Sequence, residues 1–352
     1  MADNRVTLSI GGLRYDGWTG VSIERAIDQL AGTFSLDLTT RWTGQPRRIE
    51  IATGSAAVLE IGGEPVVSGW IDEFTPRGDA QAMTYQVAGR DRTADLVDCS
   101  AVHPRGSWTA AALATIVREL VTPFGLSADV QDGGSPIRKF ALQQGETVFE
   151  AIERLARFRG LLLRSDARGN LVLAPLAAGR PAGELVWGRN LLAFSAYHGA
   201  ADRYSRVIVK GQAVGDDRAS GKAVAAVKGE ASDPAVRRHR PLIVVAEDQG
   251  SIAELERRAQ WEVSVRAARA QTATATVQGW RSEHGALWQP GDRVTVTAPF
   301  AQVDGELVVS RVQFILAEER GTVTDLTLAH PAAYTPQPVP AAAALDALEG
   351  GR

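Results

Sequence analysis

The side chains that could do chemistry are few and scattered. His103, His198, His239, His284 and His330 are far apart in the chain. A helical zinc site needs two of them about four residues apart, so each reads as a surface or packing residue. The single cysteine, Cys99, follows Leu96-Val97-Asp98. It can form no intrachain disulfide and excludes any zinc site needing two thiolates; with nothing nearby in sequence to activate it, it reads as a buried structural thiol. Adjacent acids stand at Asp72-Glu73, Asp216-Asp217 and Glu318-Glu319. Glycoside hydrolysis needs two carboxylates held across a cleft, which adjacency in sequence does not supply. Glu150 and Glu254 follow Thr147 and Ser251 by three residues, where capping boxes explain them. The chain has no G-x-S-x-G elbow, phosphate loop or strand-linked G-x-G-x-x-G. No catalytic, cofactor-binding or metal-binding residue is therefore assigned, and no cofactor is expected.

Two further sets of residues fit surfaces better than reactions. Arg237-Arg238-His239-Arg240 is the one basic cluster. It reads as a solvated loop, as a contact to an acidic neighbour in an assembly, or as a nucleic-acid contact. The eight tryptophans, Trp18, Trp42, Trp70, Trp108, Trp187, Trp261, Trp280 and Trp288, fit a core or a subunit interface. No group of neighbouring tryptophans suggests a sugar-stacking surface.

The elements carrying these residues are mostly strands. The chain has 352 residues, room for about two to three domains. Its 45% hydrophobic and 22% charged content is that of an ordinary globular protein. The net charge of −3 argues against a dedicated nucleic-acid binder. The N-terminus shows no apolar signal core, and no run reaches the ~18 apolar residues of a membrane helix. Synthesis in the cytoplasm, with no membrane span, is expected.

Residues 1–98 alternate with period two in Val6–Ile10, Thr33–Thr40, Ala57–Ile61, Pro65–Phe74 and Met83–Gly89, with Pro76–Asp79 read as a link. Residues 99–182 read as an α+β insertion. Ser107 is placed as N-cap of a helix through Ala112, Leu113, Ile116, Val117 and Leu120, ended by Pro123 and Gly125. Thr147 opens a second helix with the stripe Phe149, Ile152, Leu155 and Ala156, closed by Gly160. A hairpin follows over 161–173. Residues 183–333 return to strands, with a long hairpin or mobile loop at 212–240 and a helix at 251–268 begun by Ser251. The Pro- and Ala-rich tail, 334–352, is read as flexible or docked on a partner. The order VLEIGG, EPVVSGWIDEF, MTYQVAG is echoed by VTVTAP, ELVVSRVQFIL, VTDLTLA. Val66-Val67-Ser68 stands where Val308-Val309-Ser310 stands, so the two β parts read as a weak internal duplication, open to chance.

The segment Lys139–Ala174 (KFALQQGETVFEAIERLARFRGLLLRSDARGNLVLA) resembles the middle domain of baseplate hub proteins of contractile-tailed phages, in particular the Mu-like hub family. The resemblance rests on Gly145-Glu146-Thr147, Leu155-Ala156-Arg157, Gly160 and Asp166-Ala167-Arg168-Gly169. The Pro-Gly-Asp turn in Leu287–Pro299 is also similar to the family's. Related hub domains begin the spike proteins of type VI secretion. The resemblance implies two tube-like β-barrel domains per chain and a homotrimeric ring in the virion. That ring is a symmetry adaptor between a hexameric tail tube, or its initiator, and a trimeric central spike. Other baseplate proteins are implied partners. Residues 212–240 match no family pattern. Two other readings stay open, a tail-associated peptidoglycan hydrolase and a peptidoglycan- or tail-binding module.

Overall fold

The computed structural model describes residues 4–41, 51–80, 82–131, 134–176, 180–211, 227–246 and 251–338. The first part holds β1 (Val6–Ile10), β2 (Leu13–Tyr15), β3 (Gly20–Ala26), β4 (Thr33–Arg41), β5 (Ala56–Ile61), β6 (Glu64–Gly78) and β7 (Ala82–Asp91). The middle holds α1 (Ala94–Asp98), β8 (Ser107–Ala111), α2 (Leu113–Val121), β9 (Ala128–Val130), β10 (Ile137–Ala141), α3 (Val148–Arg159), β11 (Leu162–Ser165) and β12 (Leu171–Ala174). The last part holds β13 (Pro181–Val186), β14 (Ala193–His198), β15 (Arg206–Gly211), β16 (Val227–Ser232), β17 (Pro241–Val245), α4 (Ile252–Arg269), β18 (Gln271–Gln278), β19 (Arg293–Ala298), β20 (Val303–Ala317) and β21 (Gly321–Ala329).

The expectation of a mainly β chain with an α+β insertion matches this order. Strands from both β parts join one 13-stranded sheet, ordered β14-β18-β21-β20-β3-β4-β7-β6-β5-β1-β2, with β19 on β20 and β13 on β19. The described pairings leave that sheet open, so they do not divide it into two closed barrels. The join is β20 on β3, with Phe314 opposite Ile23. One core runs beneath it, containing Ile23, Leu36, Val312, Phe314, Leu326 and Val296. Period-two burial explains the strands: in β18, Ala273, Ala275 and Val277 are buried between threonines and other polar residues.

β6 and β20 are each 15 residues long. Each has a bulge at mid-length, at Asp72 and at Ser310, where the register slips by one. The bulges place Ser310 level with Asp72. The Val66–Ser68 and Val308–Ser310 similarity is therefore out of step by four residues. Pro76–Gly78 is strand, with Pro76 opposite Tyr85, so the expected link shortens to the turn after Gly78. A proline is tolerated there because its missing N–H faces the edge of the sheet.

The middle part has its own core, in which Ile116, Val117, Leu120, Ile152, Leu155 and Ala156 pack between the two helices and the small sheets. The Thr147–Glu150 capping box forms, and Gly160 takes the left-handed conformation at the helix end, φ 66°. Ser107 does not cap α2; it starts β8, which pairs with β10, and α2 begins after Ala112 with no side-chain cap. The hairpin β11–β12 forms as expected.

A third core unites β15, β16 and β17 with α4 through Val207, Val209, Leu255 and Ala259. The Ser251–Glu254 capping box starts α4. Of the stretch expected as a long hairpin or mobile loop, 227–232 is strand β16, the antiparallel hairpin partner of β15, and 212–226 lies outside the described residues. The tail is docked at its start. Trp261 Nε1 donates to Thr335 O (2.8 Å) and Arg269 Nε to Ala333 O (3.2 Å). Residues 339–352 lie outside the described residues.

One carboxylate ties β18 to β21. Burial of Asp325 opposes its ionisation, but hydrogen bonds from Arg320 and from Thr276 (2.6 Å) outweigh that and hold its carboxyl below the ordinary range. A folded-state value below the unfolded one adds stability at pH above the unfolded value, about 3.9, and that stability is lost as pH falls through the folded value. Asp325→Asn should therefore melt below wild type at neutral pH. The gap should narrow on acidification towards about pH 3, read by circular dichroism.

Candidate assembly surfaces

The residues with chemical potential are not gathered. His103 stacks on Trp108 (ring centroids 4.5 Å) and lies 3.4 Å from Glu119. His198 Nε2 is 2.8 Å from Ala301 O, and His330 Nδ1 accepts from Ala332 N (3.1 Å), closing a turn. His284 neighbours Glu283, and His239 is exposed. Cys99 is exposed rather than packed in a core. Asp72 pairs with Arg90 at 2.8 Å, while Glu73, Glu318 and Glu319 are exposed. Asp216-Asp217 lies outside the described residues. Among the described residues, no group of three His, Cys, Asp or Glu could hold a metal ion, and no helix is long and apolar enough to cross a membrane.

The basic cluster divides. Arg237, Arg238 and His239 are exposed, whereas Arg240 donates through Nε to Arg203 O (2.9 Å) and through its guanidinium to Ala201 O, over the Tyr204 ring. Arg240 thus braces the start of β15. Trp18, Trp108, Trp280 and Trp288 are buried. Trp70 donates to Asp95 (3.0 Å) and Trp261 to the tail. Trp42 lies outside the described residues. Trp187 is different: it is 48% exposed, and its ring lies 4.6 Å from that of Phe300, itself 58% exposed. Phe194 of β14 meets Phe300 edge-on at 6.3 Å. Tyr197 is 61% exposed on the opposite face of β14 from Phe194. A cluster of exposed aromatics at a sheet edge marks an interaction surface. No sequence signal announced it, because Trp187 and Phe300 are far apart in the chain and only the pairing of β13 with β19 brings them together.

The sheet has a second open stretch. β5 covers β6 only as far as Trp70, so among the described residues no strand pairs with Asp72–Gly78 on the side away from β7. Between these edges the first β part and the α+β part are clamped rigidly. Asp91, 2% exposed, accepts from Gly32 N (2.6 Å), Thr93 N (2.8 Å), Thr93 Oγ1 and Ser165 Oγ (2.6 Å). Arg25 donates to Ser165 O (3.0 Å); desolvation pushes its guanidinium below the usual value, against the pull of Asp91 and Asp166. Gly169, at φ +74°, brings the β11–β12 turn so close to β6 that a Cβ would lie 2.5 Å from Ser68 O. Among the described residues the arrangement gathers no catalytic group; what it offers is a clamped body with exposed sheet edges.

Comparison with known proteins agrees. The chain is 37% identical to the baseplate hub protein gp44 of Escherichia phage Mu over 340 residues, covering 93% of this chain and 88% of the relative. It belongs to the Mu-like baseplate hub family. Four family models match this hub chain in turn: the Mu phage baseplate assembly protein GpP-like N-terminal domain (5–91), the baseplate hub protein gp44-like second domain (93–175), the tail protein NMB1110-like third domain (203–261) and the Mu phage baseplate assembly protein GpP fourth domain (251–337). The 43 kDa tail protein of prophage MuSo2 from Shewanella oneidensis is 31% identical, with a TM-score of 0.84 over 96% of this chain and all of that one. A type VI secretion component from E. coli, c3393, shares the fold alone, at 12% identity and a TM-score of 0.58 over 94% of this chain and 79% of that one. This hub chain is a structural component of a phage tail baseplate and not an enzyme. The relatives lend no support to the peptidoglycan alternative.

Proposed function

We propose that three copies of this hub chain form a ring at the centre of the baseplate and adapt the symmetry of the tail. The near full-length match to the Mu hub protein carries this reading. The strand order supports the ring. The run β3-β4-β7-β6-β5 in the first half has a counterpart, β14-β18-β21-β20-β19, in the second. Each copy would thus supply two similar tube-like units, 1–98 and 183–333, with 99–182 as an outlying α+β unit and 334–352 as a connector. Three copies present six such units to a hexameric tail tube or its initiator. The same ring presents three-fold symmetry to a central spike and to the other baseplate proteins.

Deleting the reading frame from the phage or prophage that encodes it should abolish assembled baseplates in electron micrographs, and supplying the chain in trans should restore them. Normal tails in its absence would overturn the reading.

A further inference from the structure

The seam within the chain is a template for the seam between chains. Past its bulge, β20 pairs antiparallel with β3, from Arg311 opposite Ala26 to Leu316 opposite Val21. β6 is the counterpart of β20. In both, the residue before the bulge is bonded on the outer side to a glycine-bearing turn: Gly54 N to Ile71 O (2.7 Å) and Ile71 N to Ser55 O (3.0 Å), against Gly291 N to Val309 O and Val309 N to Asp292 O (both 2.8 Å). β14 is the counterpart of β3. The residue before each strand makes the same off-register bond, Thr19 N to Asp37 O and Leu192 N to Thr276 O, both 2.8 Å. Yet β3 is held between two strands, while among the described residues β14 is an edge and the far half of β6 is uncovered on one side.

We propose that this half of β6 pairs with β14 of the next copy, antiparallel and in the register of the internal seam, with Phe74 opposite His198, Thr75 opposite Tyr197, Pro76 opposite Ala196 and Gly78 opposite Phe194. The proposal rests on the ring reading and names its contact.

Backbone direction fits. Gly199 N bonds Ala270 O, so by alternation His198, Ala196 and Phe194 turn their main-chain groups away from β18. Asp79 N bonds Ala82 O, so Gly78, Pro76 and Phe74 turn theirs away from β7. The two rows are in phase. Pro76 offers only its carbonyl, which Ala196 N–H can use. Until a neighbour arrives, that proline discourages wrong edge pairing.

The side chains fit as well. Phe74, Phe194 and Ala196 are half-buried against the core, as Leu316 is at the internal seam, so joining the edges extends that core. On the other face, Gln313 Nε2 donates to Ser22 Oγ (3.0 Å) across the internal seam, and Thr75 with Ser195 supplies the same polar diagonal. The contact also carries the tip of the β6–β7 hairpin towards exposed Trp187 and Phe300. Because each copy offers one edge of each kind, the contact is head to tail and closes a ring rather than a pair.

Disulfide trapping in the full chain tests it. Facing residues that are not hydrogen-bonded partners lie about 4.5 Å apart at Cα, within disulfide reach. On a Cys99→Ser background, Thr75→Cys with Tyr197→Cys should lose its monomer band on oxidation. Reducible covalent dimers and trimers, and nothing larger, should appear, while each single variant stays at the size of one chain. Glu24→Cys with Gln313→Cys, facing across the internal seam, checks the oxidation conditions. If light scattering finds a trimer and the control pair oxidises, but the test pair stays monomeric on the gel, the seam is wrong and the ring stands. If the chain is monomeric at every concentration, both are wrong.

Discussion

Phe314→Ala is expected to destabilise the fold by about 3–5 kcal/mol, the loss typical of truncating a fully buried phenylalanine. Phe314 is 2% exposed and lies in the ladder between Ile23 of β3 and Thr324 of β21. Trp280 meets it edge-on at 6.1 Å, and the Trp280 Nε1 is fixed by donation to Ile315 O (3.1 Å) and Val323 O (3.0 Å). Strands hydrogen-bonded on both sides cannot collapse into the cavity, so the cost belongs at the high end of the range. With typical total stabilities of ~5–15 kcal/mol, the two β parts should come apart together in one early transition. Urea unfolding followed by tryptophan fluorescence measures this. A loss below about 1 kcal/mol would mean that the joint core is not what holds the two parts together.

Asp91→Ala is expected to cost a similar amount, about 3–5 kcal/mol, by a different mechanism. The change leaves Gly32 N, Thr93 N and Ser165 Oγ without their acceptor, leaves Thr93 Oγ1 only Leu30 O (3.3 Å), and removes the carboxylate that attracts Arg25 most strongly. Buried donors without partners cost about 1–3 kcal/mol each when water cannot reach them. Asp91→Asn, which keeps an acceptor oxygen and the volume, should cost less. Because Ser165 belongs to β11 and Gly32 to the first β part, hydrogen exchange in the Asp91→Ala protein should rise first around 162–174, before the 13-stranded sheet opens. Wild-type melting in Asp91→Ala would show that the clamp is decorative.

What was legible in the sequence follows from range. The capping boxes at Thr147 and Ser251 and the left-handed Gly160 are set within four residues and were readable directly. So were the alternating strands that became β4, β5 and β7. Ser107 misled because its cap-like sequence is overridden by pairing with β10, about thirty residues on. β13 was missed because it is short, carries Gly183, and gains its place only by lying parallel to β19. The repeat in strand order was visible as the echo of Val66–Ser68, but its register was four residues off. Bulges, set by strand geometry, decide the register, and the eye follows letters. The edges on β6 and β14 were hidden for the same reason: an edge is defined by which strand is absent beside it, which the sequence of that strand does not state.

Averaged electron-microscope images of the purified full chain test the central claim most directly. The account predicts a ring with three-fold symmetry and a central opening, its β wall divided into six similar units, two from each copy. A monomer, or a closed two-fold dimer with the β6 and β14 edges still open to solvent, would contradict it.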